Sequence, residues 1–188
     1  MKQTYRNSVR SKRLIKETFL NLAQKKDIDK ITIKEITDTC DLSRNTFYLH
    51  YADIYAVLEE SQQETIQHLN EVLDNCESKH VLNAPLPFLE EIAKTIKENK
   101  NEYAILMNIK GADAFIVKIK KIFLNHVIDG SDVYKLLDPN GFLIFLEILT
   151  SGTINLFQVC LKGNADITID DVVNETNRIY LNGIKLYK

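Results

Sequence analysis

Residues 32–51 read TIKEITDTCDLSRNTFYLHY, and this stretch decides the fold. Its spacing predicts two short helices separated by a tight turn, a layout that holds one helix in the major groove of DNA. Thr32 and Glu35 stand at capping-box spacing, and Ile31 and Ile36 flank that cap as a hydrophobic staple. The signals recur at Ser43, with Leu42 before it and Phe47 four residues into the next helix. Between them, Cys40-Asp41-Leu42 leaves room for a turn of only three or four residues. Asp41 is the residue there that best tolerates a left-handed backbone. Two surface helices of an ordinary bundle would carry the same caps, so the outer face of the second helix decides between the readings.

At helical spacing Ser43, Phe47 and Tyr51 share one side and would seat that helix on its domain. Asn45, Thr46, Tyr48 and Leu49 then point away, with Arg44 and His50 on the flanks. This outer surface has no acidic residue. Asn can pair bidentately with adenine, Arg with guanine, and Leu49 can contact a thymine methyl. A tyrosine there gains a purpose if its hydroxyl reaches a phosphate oxygen. With the capping Thr32, these residues form the candidate DNA-contacting set: Thr32, Arg44, Asn45, Thr46, Tyr48, Leu49 and His50.

The order of a helix, Thr-Ile-x-x-Ile, a turn with Ser, then Thr46-Phe47-Tyr48-x-His50-Tyr51 and a long helix resembles the TetR family of one-component transcriptional regulators. The resemblance implies that Thr46, Tyr48 and His50 lie on DNA, the tyrosine and histidine on phosphates. It implies base or backbone contacts for Arg44 and Asn45. This chain departs from the family in having Asp41 where a small turn residue, often Gly, is usual. It also has Ile54 where a phosphate-holding Lys commonly starts the fourth helix.

Charge distribution points the same way independently. Twenty-four basic and 26 acidic residues give a net charge of −2 overall. Residues 1–52, however, hold eleven Lys and Arg against six acids, a net of +5, and the remainder carries 13 basic and 20 acidic residues, a net of −7. A basic head on an acidic body suits a protein that docks on phosphate with one end. Lys2, Arg6, Arg10, Lys12 and Arg13 open the chain without an acid, as a disordered tail or as an arm that follows the DNA backbone or enters the minor groove.

The rest of the chain has helical period with few breaks. Residues 11–26 form a first amphipathic stripe, and Asp53 caps a long helix reaching about Asn75. A loop over 77–87 separates it from helices expected at 87–100, 102–108 and 112–128. A loop at Asp138-Pro139-Asn140-Gly141 precedes an apolar helix over 142–161 closed by Gly163, and Asp170 caps the last, over 171–186. About nine helices and no strands are expected, with residues 1–52 a helix-turn-helix domain and 53–188 a helical effector-binding and dimerisation domain.

The helix FLIFLEILTSGTINLFQVCL (142–161) carries one charge, Glu147, and must be buried on most sides. Packing within one subunit accounts for part of this. The run Thr150-Ser151-Gly152-Thr153 also permits close helix approach, and resembles the segment through which TetR-like proteins pair their last two helices between subunits. Gly152, Thr153, Leu156 and Ile179 are the expected homodimer seam. A dimer also suits the chemistry, because two short recognition helices related by a twofold axis read a palindrome.

Catalytic motifs are lacking: there is no glycine-rich phosphate loop, HExxH, GxSxG or paired CxxC. Glu64 and His68, one turn apart, read as a solvated helix face rather than metal ligands, and no metal or cofactor is expected. Phe88, Tyr103, Phe115, Phe123, His126 and Phe145 fall where TetR-like proteins enclose an effector, so they are the candidate pocket, against the plainer reading as core. Cys40, Cys76 and Cys160 lack metal spacing and read as reduced thiols. No apolar stretch of spanning length and no leader is read, so a cytoplasmic protein without a membrane partner is expected. The reading is a DNA-binding regulator, most simply a repressor, with a palindromic operator and an unknown small-molecule effector as its partners. The alternatives are control by a protein partner or activation, and, from another class, a helical carrier or enzyme with no affinity for DNA.

Overall fold

The computed structural model describes residues 2–75, 84–129, 135–163 and 166–188, and among these it contains nine α-helices and no strand. The head is α1 (Lys2–Ala23), α2 (Ile33–Thr39) and α3 (Arg44–Tyr48); α4 (Ile54–Asp74) leaves it for the body. The body adds α5 (Leu86–Glu98), α6 (Lys100–Leu106), α7 (Asp113–Asp129), α8 (Pro139–Lys162) and α9 (Ile169–Gly183). Cys76 and most of the expected 77–87 loop lie outside the described residues.

Each head element starts where a side chain replaces a missing backbone partner. The Thr32 hydroxyl accepts from the Glu35 amide at 3.2 Å, Ser43 from Thr46 at 3.0 Å and Asp53 from Ala56 at 2.9 Å. The reciprocal half of the Thr32 box is absent, because the Glu35 carboxylate pairs with Lys26 instead. Asp41 takes φ +52°, the left-handed turn its short polar side chain permits. Ile15, Phe19, Ile28, Ile31, Ile36, Phe47, Tyr51 and Val57 close around one another as the head core.

Three expectations about helix ends are corrected. The basic N-terminus is helix from Lys2 rather than a disordered tail, since no glycine or proline in residues 2–13 interrupts the helix that continues to Ala23. At α8, Pro139 is the first helical residue rather than part of a loop: its fixed φ suits that position, and Asp138 caps the Gly141 amide at 2.9 Å. For α9 the cap is Thr168, not Asp170, in a full capping box with Asp171.

In the body, Phe88, Ile92, Leu106, Phe115, Phe142 and Phe157 are among the residues that build a second core. The helix α4 belongs to both cores, with Val57 in the first and Ile66, Leu69 and Leu73 in the second. The reading that no segment could span a bilayer is also corrected. At 24 residues, α8 is long and apolar enough to cross one by length and composition, and only 28% of its most apolar window is buried. Glu147, Ser151 and Asn155 interrupt its exposed side, and it packs along α7 and α9, the second of which shows Glu175 and Arg178 to solvent.

Candidate nucleic-acid interface

Phe47 and Tyr51 seat α3 on the head core, both buried, while Ser43 is exposed and serves as cap rather than anchor. Burial, then the Glu60 carboxylate, hold the Tyr51 phenol well above its ordinary titration range, so it stays a neutral donor. Lys12 pairs with Glu60 and lies over the Tyr51 ring at 5.8 Å, and Lys16 pairs with Glu64. These contacts tie α1 to α4 behind the recognition helix.

The face turned away from this core carries Arg44, Asn45, Tyr48 and Leu49, all exposed; Tyr48 is 57% and Leu49 82% accessible. An apolar side chain left that open has no folding role in the subunit. Thr46 is half-buried with its hydroxyl 2.9 Å from Ser43 Oγ, and Thr32 is exposed at the start of α2. His50 is half-buried, with Nε2 2.8 Å from the Ser11 hydroxyl of α1. Ser11 was missed in the sequence, because a contact across 39 residues leaves no local signal. Ile54 packs half-buried against the head core, so no cation occupies that position; its exposed neighbour Tyr55 donates to Asp29 at 2.9 Å.

Asp29 also receives Lys110 at 2.6 Å, which joins the head to the α6–α7 connection. The Lys110 hydrogen bond, then that of Tyr55, hold the Asp29 carboxyl below its usual range. Next to Lys110, Ile109 packs against the head core, and the Met107 carbonyl accepts from Gln158 of α8 at 2.7 Å. One short connection thus touches the recognition domain and the longest body helix.

Three of the six candidate pocket residues come together, with the rings of Phe123 and His126 centred 6.3 and 6.4 Å from that of Phe88, and the other three lie elsewhere in the body. Phe88 and Phe123 line an apolar cavity of about 50 Å³ with Leu146, Phe157 and Tyr180, among others. Tyr103 borders a separate groove near α1 and α4, its hydroxyl buried without a partner, and burial pushes its phenol up to about 12. Phe115 is core, and Phe145 stacks with Phe142, Tyr180 and Tyr187. His126 sets Nδ1 2.9 Å from the Ile122 carbonyl and Nε2 3.2 Å from Asp74. Aromatic residues at helical spacing fill cores as readily as cavities, so sequence could not sort them.

Of the expected seam, Gly152, Leu156 and Ile179 are exposed, but Thr153 faces inward, bonded to Thr176 at 3.0 Å. The exposed stripe runs Ile144, Ile148, Gly152 and Leu156 at four-residue spacing, with the isoleucines 62% and 68% accessible. Among the described residues no group of three or more His, Cys, Asp or Glu is placed to hold a metal ion, and Cys40 and Cys160 are free thiols.

Two solved structures superpose over nearly the whole chain. One is a TetR transcriptional regulator from Streptococcus agalactiae 2603V, with TM-score 0.67 and 20% identity, covering 94% of this chain and 97% of that one. The chain has the TetR fold. The dihydroxyacetone kinase operon activator DhaS matches with the same TM-score and the same coverage at 15% identity. In sequence, 98 residues are 26% identical to an uncharacterized HTH-type transcriptional regulator, YxbF, of Bacillus subtilis (strain 168). That match takes in 50% of this chain and about a quarter (26%) of the relative. No family model matches the chain. The TetR-like architecture puts the exposed face of α3 at one end and the bare stripe of α8 along the body.

Proposed function

We propose that this chain is a transcriptional regulator without enzymatic activity, acting in the cytoplasm as a homodimer on a palindromic operator. The observation that carries the reading is the outer face of α3. It exposes Arg44, Asn45, Tyr48 and Leu49 without an acid on that helix, on a head with a net charge of +5. The stripe Ile144–Ile148–Gly152–Leu156 supports the dimer, since a second copy buries the same apolar face on both sides of a twofold axis.

Repression follows from occupancy of the operator, relieved when an effector in the body favours a dimer geometry with the wrong spacing between heads. Two levers can carry that change: α4, shared by both cores, and the 107–111 connection, held by Gln158 on one side and by Asp29 on the other. A cavity of about 50 Å³ is far below the roughly 300–1,000 Å³ of ordinary ligand pockets, so an effector must open it. That size favours a second reading, control by a protein partner, and the activator DhaS supports activation as the alternative sign.

The test is titration of a palindromic duplex from the DNA around its own gene between 50 and 200 mM salt. Counterion release makes log K fall with log salt by roughly 0.9 per phosphate neutralised. A flat response, or no retention of any such fragment, removes the regulator reading in favour of a helical carrier.

A further inference from the structure

We propose that the cavity of the body takes an effector that is uncharged and largely apolar, with one hydroxyl or carbonyl group for Thr150, and that this occupant acts by displacing α8. The proposal rests on the effector reading above and names its ligand class and its route. Among the described residues thirteen line the cavity, and none carries a charge. A charged group entering it would lose its hydration and gain no counter-ion in return. Burial pushes the Tyr180 phenol up, so that side chain stays neutral as well. His126, whose ring is centred 6.4 Å from that of Phe88, is outside the lining and has Nε2 3.2 Å from Asp74. Two of the threonines in the lining are engaged with the protein. The Thr153 hydroxyl donates to the Leu149 carbonyl at 2.8 Å and stands 3.0 Å from that of Thr176. Thr150 is half-buried, and its hydroxyl bonds to no group among the described residues. It is the threonine left to meet a polar atom of the ligand.

The cavity wall and the bare stripe share one helix. To the wall α8 contributes Leu146, Leu149, Thr150, Thr153 and Phe157, a single face at three- and four-residue spacing. Ile148 stands two residues from both Leu146 and Thr150, roughly 200° around a helix of 3.6 residues per turn, and is 68% exposed. The cavity holds about 50 Å³, whereas an apolar cavity of roughly 150 Å³ takes up benzene. Any ring or short chain that enters must therefore move a wall. Behind α5 and α7 stands α4, whereas the stripe of α8 is exposed. Within the subunit α8 is thus the wall with room to move, and its motion reaches the seam directly.

The experiment follows melting of the full-length protein with four probes built on one ring: toluene, benzyl alcohol, benzylammonium and benzoate. The two neutral probes should raise the melting point, and the two ions at equal concentration should not. Thr150→Val should weaken benzyl alcohol roughly two- to tenfold, the worth of one hydrogen bond, and leave toluene unchanged. Val127→Phe, which fills the cavity from α7, should abolish both shifts; if that variant melts too early to read, Thr150→Val still decides. Saturating benzyl alcohol should shift the dimer dissociation constant, read by light scattering, by roughly 5–150-fold, the usual range for coupled sites. An ion that binds as well as benzyl alcohol, a Thr150→Val variant that weakens both neutral probes alike, or an unmoved dimer constant would each overturn the proposal. So would the absence of a shift with any probe. Binding of the neutral probes by a protein that retains no operator fragment would instead refute the operator reading and leave the ligand class standing.

Discussion

The change Gly152→Leu separates a seam between subunits from one inside a subunit, because the two give effects of opposite sign. A Cβ built on Gly152 meets nothing within 4 Å, so the subunit has room for a side chain there. Glycine in a helix interior costs about 1 kcal/mol relative to alanine, and leucine is nearly as good a helix former as alanine. The isolated subunit should therefore gain up to about 1 kcal/mol. In a twofold seam each copy adds a leucine to a close contact, and overpacking costs roughly 1–3 kcal/mol per site. Two sites give about 2–6 kcal/mol per dimer, or roughly one and a half to four orders of magnitude in the dimer dissociation constant. Light scattering over a dilution series reads the dissociation, and operator binding should be lost with it although the head is untouched. Melting must be compared in dilute samples, since dimer mass action also raises Tm. A wild-type dimer constant in the leucine variant would refute the seam on this stripe. A monomer with a lowered melting point would refute the reading that the position is free within the subunit.

Tyr48→Phe should weaken binding to all operator variants about equally, since the lost hydroxyl is assigned to a phosphate, whereas Asn45→Ala should relax preference at one position by roughly 1–3 kcal/mol. The reverse pattern on an operator library would show that the facing of α3 is wrong. Gly183→Ala should lower stability in urea by about 1–3 kcal/mol, because the new Cβ would stand 2.4 Å from Phe145 Cζ and the ring is packed on three other aromatics. An unchanged midpoint would mean that the aromatic cluster moves aside without cost. Lys110→Ala removes a solvent-exposed pair, so the melting point should hardly move. Operator affinity should shift more than stability does if the 107–111 connection sets the pose of the head; equal and small effects on both would leave α4 as the sole lever.

What the sequence determined by itself is local. Caps at Thr32, Ser43 and Asp53, the left-handed Asp41 and the helical stripes of α1 and α4 each arise within one or two turns, where spacing and side-chain chemistry suffice. The exposed character of Asn45, Tyr48 and Leu49 followed from the same periodicity, once Phe47 and Tyr51 were assigned inward. Only the tertiary structure decided contacts between distant segments. It placed Ser11 on His50, carried Lys110 to Asp29, turned Thr153 inward and divided six aromatic and imidazole side chains between a small cavity, the body core and a groove. The physical reason is that a helix pattern specifies which face is buried but not against what. Phe88 and Phe115 share one apolar signature, yet the packing of α5, α7, α8 and α9 sets Phe88 beside the small cavity, while Phe115 is 1% exposed in the body core.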